Sequence, residues 1–164
     1  MKNFEIISKI QILEDEELNE NQRKVIEAAR EATYHSYVPY SNFHVGAACL
    51  LDNGEIISGS NQENAAYPSG ICAERTTLFY AHSKYPDAKI LMLCIVGRDQ
   101  KGEFIKGICS PCGACRQVIL EAEYRSKAPI QILLPSGEGT YVIDGILALL
   151  PFGFTPDDLN KAEV

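Results

Sequence analysis

The sequence is short of basic residues, histidines and long apolar runs, and each shortage excludes a class of function. Its 15 Lys and Arg stand against 22 Asp and Glu, and the net charge of −7 argues against nucleic-acid binding, which relies on clustered positive charge. No apolar run approaches the roughly 20 residues of a membrane-spanning helix, so we expect no membrane partner. A glycine-rich phosphate loop and a Ser-His-Asp arrangement are also missing from the sequence.

The composition predicts one globular domain preceded by a short leader. Of the 164 residues, 46% are hydrophobic and 23% are charged, which is ordinary for such a domain. Residues 1–20 form the leader, and its apolar positions at Phe4, Ile6, Ile10 and Ile12 favour an extra edge strand over a loose arm. Charged residues interrupt this stretch and no small-residue cleavage site follows, so we expect a cytoplasmic protein without a signal peptide.

Residues 21–164 show strands alternating with helices. A helical pattern over 21–36 must end before Val38-Pro39, because proline disfavours α-helical backbone in its predecessor. The Asn53-Gly54 pair predicts a tight hairpin turn. The elements expected next are the hairpin strands Phe43–Leu51 and Glu55–Ser60, a polar loop over 61–71, a helix from Cys72 through Ala81, a buried strand Ile90–Val96, a polar segment Gly97–Gly107, a helix from Gly113, strands Pro129–Leu134 and Tyr141–Ile143, a short helix Asp144–Leu150 and a final helical turn or two at Asp157–Ala162. This order predicts an α/β fold, a three-layer α/β/α sandwich with a mixed central sheet.

Three cysteines at predicted helix starts indicate a metal site. Cys112 and Cys115 are three residues apart and share a helix face, and Cys72 opens the preceding helix. Helix N-termini lower thiol pKa values and favour the thiolate that a metal requires. Three thiolates are one ligand short of a closed zinc site, and a catalytic zinc keeps its fourth position for water. Zn²⁺ is therefore the expected cofactor, with Glu74 placed to carry the proton of that water.

Cys109 leaves a second interpretation open, because Cys109, Cys112 and Cys115 form a Cys-x-x-Cys-x-x-Cys run. With Cys72 as fourth ligand, this run would suit an iron–sulfur cluster or a closed structural zinc site, and the protein would be a redox or binding module. That interpretation gives Glu74 no role. Ser110-Pro111 also holds Cys109 in the extended segment before the helix, away from the helix start.

The remaining cysteines and the histidines suggest no other chemistry. Cys49 and Cys94 lie in apolar runs and are expected in the core. A cysteine nucleophile at Cys72 would need a histidine base, and His82 follows it by ten residues, about three turns along the same helix. Along with His35 and His44, it is expected at the surface or in the core.

The chain resembles the small homo-oligomeric cytidine deaminases, whose zinc site uses three cysteines. Three His/Cys ligands, a nearby glutamate that is not a ligand and a Pro-Cys-x-x-Cys segment are the known signature of zinc nucleobase deaminases. The resemblance extends from about residue 22 to 160, and the segment between Met92 and Ser110 is longer than is common. The stretches that carry it are Pro39–Ala48, Asn61–Tyr67, Cys72–Thr76, Ser110–Val118, Leu149-Leu150-Pro151 and Phe154.

This resemblance implies that residues 21–164 form a catalytic domain that deaminates cytidine and 2′-deoxycytidine in pyrimidine salvage. Water activated at the zinc attacks C4 of cytosine, while Glu74 moves a proton from that water to N3 and then to the departing amine. The products are a uracil nucleoside and ammonia.

The resemblance also implies a set of substrate contacts and a homotetramer. Asn61 and Glu63 are expected to bind the ribose 3′-hydroxyl, and Phe43 to pack against the pyrimidine ring. An aromatic residue near the C-terminus is expected to reach the base in a neighbouring subunit; Phe154 aligns with it and Phe152 competes. The substrate-binding positions are thus Phe43, Asn61, Glu63, Tyr67, Ala73 and Phe154.

Arg75 and Gln117 are expected to tune the metal site. Three thiolates and Zn²⁺ sum to a charge of −1, which makes a bound water less acidic. A guanidinium hydrogen-bonded to the thiolates would withdraw part of that charge, and Gln117 could act as a further donor.

Two related activities are the rivals to a cytidine deaminase. One is deamination of another aminopyrimidine such as blasticidin S, but the Asn61-x-Glu63-Asn64 loop favours a nucleoside sugar. The other is editing of a polynucleotide, for which we expect a basic groove that a net charge of −7 does not favour.

Overall fold

The structure is a computed structural model that describes residues 1–160, and in this range six strands form one mixed sheet. The sheet order is β1-β6-β5-β4-β2-β3; β4 and β5 are parallel and all other neighbours are antiparallel. The strands are β1 (Gln11–Leu13), β2 (His44–Leu51), β3 (Ile56–Ser60), β4 (Ile90–Arg98), β5 (Gln131–Ser136) and β6 (Gly139–Asp144).

Helices cover both faces of this sheet, so the predicted three-layer α/β/α architecture is confirmed. The helix α1 (Glu20–Ala32) packs on one face, and α2 (Ala73–Lys84) and α3 (Gly113–Ser126) pack on the other. A short α4 (Pro156–Asn160) follows near the end of the described chain. None of the helices within residues 1–160 is both long and apolar enough to span a membrane.

The central strands are mostly apolar because both of their faces are covered by helices. In β2, Ala47 and Cys49 belong to the cluster under α2 and α3, whereas Ala48 and Leu50 belong to the cluster under α1. Successive side chains of a strand point to opposite faces, and a strand buried on both therefore shows no polar alternation. Cys49 and Cys94 are fully buried, as predicted for core cysteines.

The position of α1 is fixed by a cap and by a close approach to β2. Asn19 accepts a hydrogen bond from the backbone of Gln22, and the side chain of Gln22 accepts one from the backbone of Asn19, which forms a capping box. Further along, a Cβ on Gly46 would lie 2.1 Å from the carbonyl oxygen of Ala29. Only glycine allows the helix backbone to lie this close to the strand.

Two of the predicted helices differ from the structure. The helix predicted over Asp144–Leu150 is wrong: Asp144 ends β6, and only one 3₁₀ turn, Ile146–Ala148, follows. Gly145 interrupts the chain with φ +92°, and the carboxylate of Glu123 binds the Ile146 N–H at 2.8 Å and so holds the start of the turn in place. The first helix ends at Ala32 and continues as a 3₁₀ turn over Thr33–His35. The last predicted turns reach positions 161–162, which lie outside the described residues.

Part of the leader pairs with the edge of the sheet. Within residues 1–20, β1 runs antiparallel to β6, with Ile12 opposite Tyr141. The hydroxyl of Ser8 also donates to the carbonyl of Ala148 at 2.6 Å. The division between a leader and a catalytic domain at residue 20 stays a prediction.

The sheet topology brings the starts of α2 and α3 together. Both β3 and β4 are antiparallel to β2, so they are parallel to each other and their carboxyl ends lie at the same edge of the sheet. The helix after β3 is α2 and the helix after β4 is α3, so both begin at this edge. Polar groups at two helix N-termini are therefore placed to form one site, in the position where α/β sheets commonly bind ligands.

Candidate active site

The three predicted ligand cysteines meet at these helix starts. Cys72 is the N-cap of α2, Cys112 is the N-cap of α3, and Cys115 lies in the first turn of α3. Their three sulfur atoms lie within 4.8 Å of one another. Cys109 is not part of this group, because its side chain packs against the hydrophobic core. The geometry favours a three-ligand site over the closed four-cysteine alternative.

The sulfur atoms share negative charge unevenly. A hydrogen bond from Cys115, aided by Arg75, lowers the pKa of Cys72 to about 5. The pKa of Cys115 is raised, chiefly because its thiol donates to Cys72 and also because it is buried. The pair of Cys72 and Cys115 thus favours one thiolate, which the hydrogen bond between the two sulfurs and the charge of Arg75 stabilise. Proton release on metal binding is the ordinary behaviour of such a donor set.

This donor set fits zinc. Zn–S bonds of about 2.3 Å at tetrahedral angles place ligand sulfurs about 3.8 Å apart, and the three sulfurs here already lie within 4.8 Å of one another. No histidine or carboxylate among residues 1–160 joins the group as a fourth ligand, so the position for water or substrate is open. Thiolate ligands suit Zn²⁺ better than they suit Mg²⁺ or Ca²⁺.

Arg75 lies one turn after Cys72 and points its guanidinium at the cluster. Its Nη2 is 3.9 Å from the Cys72 sulfur, and the neighbouring thiolate raises the pKa of Arg75. Its Nε is buried and finds no hydrogen-bond partner among residues 1–160. The side chain therefore places positive charge beside the sulfurs, as expected from the sequence.

Glu74 is a buried acid in the first turn of α2. Only 5% of its surface is exposed, and burial raises the pKa of its carboxyl, with the charge of Cys72 adding to the rise. A carboxyl whose pKa is moved toward neutrality can both accept and release a proton at physiological pH. Its carboxyl interacts with both Cys72 and Cys115, which suits the predicted proton carrier.

A cleft of about 510 Å³ lies next to Cys72 and Arg75. It is the size of a typical small-molecule site. Three of the predicted substrate-binding residues, Asn61, Glu63 and Tyr67, line it. Tyr67 is 76% exposed at the rim.

Backbone hydrogen bonds orient the two polar residues of the cleft. The amide of Asn61 accepts from the Val45 N–H and donates to the Phe43 carbonyl, both at 2.9 Å. The carboxylate of Glu63 accepts a hydrogen bond from the Tyr40 N–H at 2.9 Å. Its pKa is lowered, chiefly by a hydrogen bond from the hydroxyl of Ser41. Both side chains are therefore held in place at the cleft by the backbone of residues 40–45.

Two other predicted substrate-binding residues, Ala73 and Phe43, are not among the residues that line this cleft. Ala73 is fully buried directly after Cys72. Phe43 precedes β2 and is 37% exposed, with its ring beside Gly97 of β4.

Gln117 holds the C-terminal loop. Its amide donates to the carbonyl of Phe154 at 2.7 Å and accepts from the N–H of Phe154 at 3.3 Å. These hydrogen bonds run to Phe154 and not to a cysteine sulfur, which differs from the donor role expected for Gln117. Phe154 itself is 58% exposed, and Phe152 is 84% exposed.

Arg116 is a site residue that the sequence did not reveal. Its guanidinium donates to the carbonyl of Pro111 at 2.8 Å and to the carbonyl of Leu149 at 2.6 Å. A third bond runs to the hydroxyl of Ser110 at 3.0 Å. Arg116 thereby ties the C-terminal loop to the segment before Cys112. No local sequence pattern predicts this contact, because Leu149 lies 33 residues away in the sequence.

Most of the chain matches a known protein family. Residues 19–128 match the family model described as the cytidine and deoxycytidylate deaminase zinc-binding region. The site residues from Phe43 to Gln117 all fall inside the matched range. The matched region binds zinc in its family, in agreement with the cluster of Cys72, Cys112 and Cys115.

Individual relatives are similar over nearly their whole length. The chain is 36% identical to a cytidine deaminase of Halalkalibacterium halodurans over 140 residues, 85% of this chain and 98% of the relative. It is 38% identical to a cytidine deaminase of Sporosarcina psychrophila over 85% of this chain and 95% of the relative. Among solved structures, a cytidine deaminase from Burkholderia pseudomallei superposes with a TM-score of 0.68 at 36% identity, covering 80% of this chain and 98% of that structure.

Proposed function

The chain belongs to the cytidine and deoxycytidylate deaminase family, and from this membership we propose that it hydrolyses cytidine to uridine and ammonia. The observation that carries the proposal is the cluster of Cys72, Cys112 and Cys115 next to the buried carboxyl of Glu74. An open zinc site beside a proton carrier is the arrangement that hydrolytic deamination requires.

The residues divide the work of the reaction. Zinc held by Cys72, Cys112 and Cys115 would supply a Lewis acid that makes water a nucleophile near neutral pH. Glu74 takes the proton that this water gives up and transfers it to N3 of the base. A second transfer through Glu74 protonates the exocyclic amine, which leaves as ammonia when the C4–N4 bond breaks. One water is consumed and one ammonia released for each uridine formed.

We propose that Asn61 and Glu63 bind the 3′-hydroxyl of the sugar. Both side chains line the cleft and are held by backbone hydrogen bonds before any substrate arrives. A 3′-hydroxyl is present in cytidine and in 2′-deoxycytidine, so both nucleosides are proposed as substrates. The reaction then serves salvage of free pyrimidine nucleosides.

We further propose a homotetramer in which Tyr67 and Phe154 help to complete a neighbour's site. Both are exposed in the isolated chain, at 76% and 58%, as an aromatic residue serving another subunit would be. Light scattering should give the mass of four chains. A co-expressed mixture of Phe154→Ala and Glu74→Gln chains should be more active than either variant alone, because some mixed sites contain neither substitution. A monomer that is fully active would contradict this arrangement.

A cytoplasmic location is also proposed. The six cysteines are free, and thiols of this kind persist in reducing compartments.

The test of the proposed substrate is a panel assayed on zinc-loaded protein. Cytidine, 2′-deoxycytidine, deoxycytidylate and blasticidin S are each incubated with the protein, and products are separated by chromatography. Conversion of the two nucleosides well above the other compounds is expected. Preferential conversion of deoxycytidylate or blasticidin S would overturn the nucleoside assignment.

A further inference from the structure

We propose that Gly97, Ile105 and Cys109 form a wall that fixes the ring of Phe43, so that they set the affinity of the site for the pyrimidine base. This inference rests on the proposed function and on the expectation, implied by the family resemblance, that Phe43 packs against that base. It concerns residues 97–109. They belong to the segment between Met92 and Ser110, which is longer than is common in the family and has no role assigned to it by the resemblance.

Three side chains converge over Gly97 from two segments, the one before β2 and the one after β4. A Cβ on Gly97 would lie 3.0 Å from Cζ of Phe43, 3.0 Å from Cδ1 of Ile105 and 3.2 Å from Sγ of Cys109. Each of these distances is shorter than an ordinary contact of about 3.5–4.0 Å. Gly97 does not adopt a positive φ, so glycine is required here for space and not for its backbone conformation.

The excursion after β4 is built to return Ile105 to Gly97. Its turn is held by Asp99, which accepts from the backbone of Lys101 at 2.8 Å and of Glu103 at 3.0 Å. The N–H of Ile105 then donates to the carbonyl of Gly97 at 3.1 Å. Hydrogen bonds thus hold the turn before Ile105 and the backbone of Ile105 itself, which keeps its side chain against Gly97.

Cys109 contributes to the wall as a neutral, apolar group. Burial raises the pKa of its thiol to about 12, and the carboxylate of Glu74 adds to the rise. The thiol packs against the core. The wall therefore extends from Phe43 toward Glu74.

Phe43 is the member of this group with the most freedom to move. It is 37% exposed, whereas Ile105 is partly buried and bonded to Gly97, and Cys109 packs against the core. An added methyl at position 97 would crowd the ring, and Phe43 would have to shift outward by a few tenths of an ångström to relieve the contact. Loss of well-aligned ring stacking lowers affinity for the base, and such contacts are worth a few-fold to about 10-fold.

The test compares two glycine-to-alanine variants in the zinc-loaded protein. Gly97→Ala should raise KM for cytidine about 3- to 10-fold, with kcat and zinc content close to the parent. Gly107→Ala is the matched control, because nothing lies within 4 Å of its added methyl. In a Glu74→Gln background, calorimetry should show the same rise in the Kd of cytidine for Gly97→Ala and no change for Gly107→Ala.

Ile105→Ala supplies a second perturbation if Gly97→Ala does not fold. Removing the support beside the ring should also raise KM and leave zinc content unchanged. Equal KM values for the parent and the folded wall variants would overturn the inference, as would a fall in kcat with KM unchanged. A parent that neither converts nor binds cytidine would instead reject the proposed function, so the two failures are distinguishable.

Discussion

Replacing Arg75 with alanine should slow turnover while zinc stays bound. The guanidinium is the nearby positive charge that offsets the thiolates, with Nη2 3.9 Å from the sulfur of Cys72. Without it, the cluster is more negative, and a coordinated water gives up its proton less readily. The three sulfur ligands themselves remain in place.

The distance sets the size of the effect. Two unit charges 3.9 Å apart interact by about 4 kcal/mol at an effective dielectric constant of 20. Arg75 is only half-buried, so water screens the interaction, and about 1–2 kcal/mol is the better figure. That energy corresponds to a fall in kcat of about 5- to 30-fold.

A charge series separates electrostatics from loss of packing. In Arg75→Lys the positive charge remains but the planar fork is lost, whereas in Arg75→Gln a hydrogen-bond donor remains without charge. We expect kcat to fall in the order parent, lysine, glutamine and alanine, with zinc content measured on each protein. Equal kcat in parent and alanine variant would refute the reasoning. Equal losses for lysine and glutamine would show that charge is not the cause.

Three further predictions concern stability and the metal. Gly46→Ala should lower the free energy of unfolding by about 3 kcal/mol or more, because its methyl would lie 2.1 Å from the Ala29 carbonyl oxygen; an unchanged denaturation midpoint would contradict this. Arg116→Met removes three hydrogen bonds and should cost about 2–3 kcal/mol, whereas Lys24→Met, which breaks an exposed ion pair, should cost under about 1 kcal/mol in the same titration. Chelation should abolish cytidine turnover and added Zn²⁺ should restore it; turnover by zinc-free protein would exclude the three-cysteine site as the catalytic centre.

The metal site could be predicted because its information is local. Cys72 and the pair Cys112 and Cys115 lie at helix starts that the sequence indicates, and Glu74 lies two residues from a ligand. The remaining step, that the two helix starts meet, follows from β3 and β4 both pairing antiparallel with β2.

The strands were predicted well for a related reason. Residues 90–96 form an unbroken apolar run, and only a strand covered on both faces suits such a run of seven residues in this fold. The structure extends this strand to Arg98.

The contacts that hold the C-terminal loop could not be predicted. Arg116 and Gln117 reach partners 33 and 37 residues away, and in each case the partner group is a backbone atom that carries no sequence signal. The short helix expected after Asp144 failed for a similar reason. Its first N–H is held by Glu123, 23 residues earlier in the chain.

The most direct test of the central claim follows cytidine by its ultraviolet absorbance on mixing with zinc-loaded parent and zinc-loaded Glu74→Gln protein. The parent should deaminate cytidine, and the variant should keep its zinc while kcat falls by at least about 100-fold, because the proton carrier is lost. An inactive, zinc-loaded parent would contradict the cytidine assignment. A fully active Glu74→Gln protein would contradict the role of Glu74 in moving the proton.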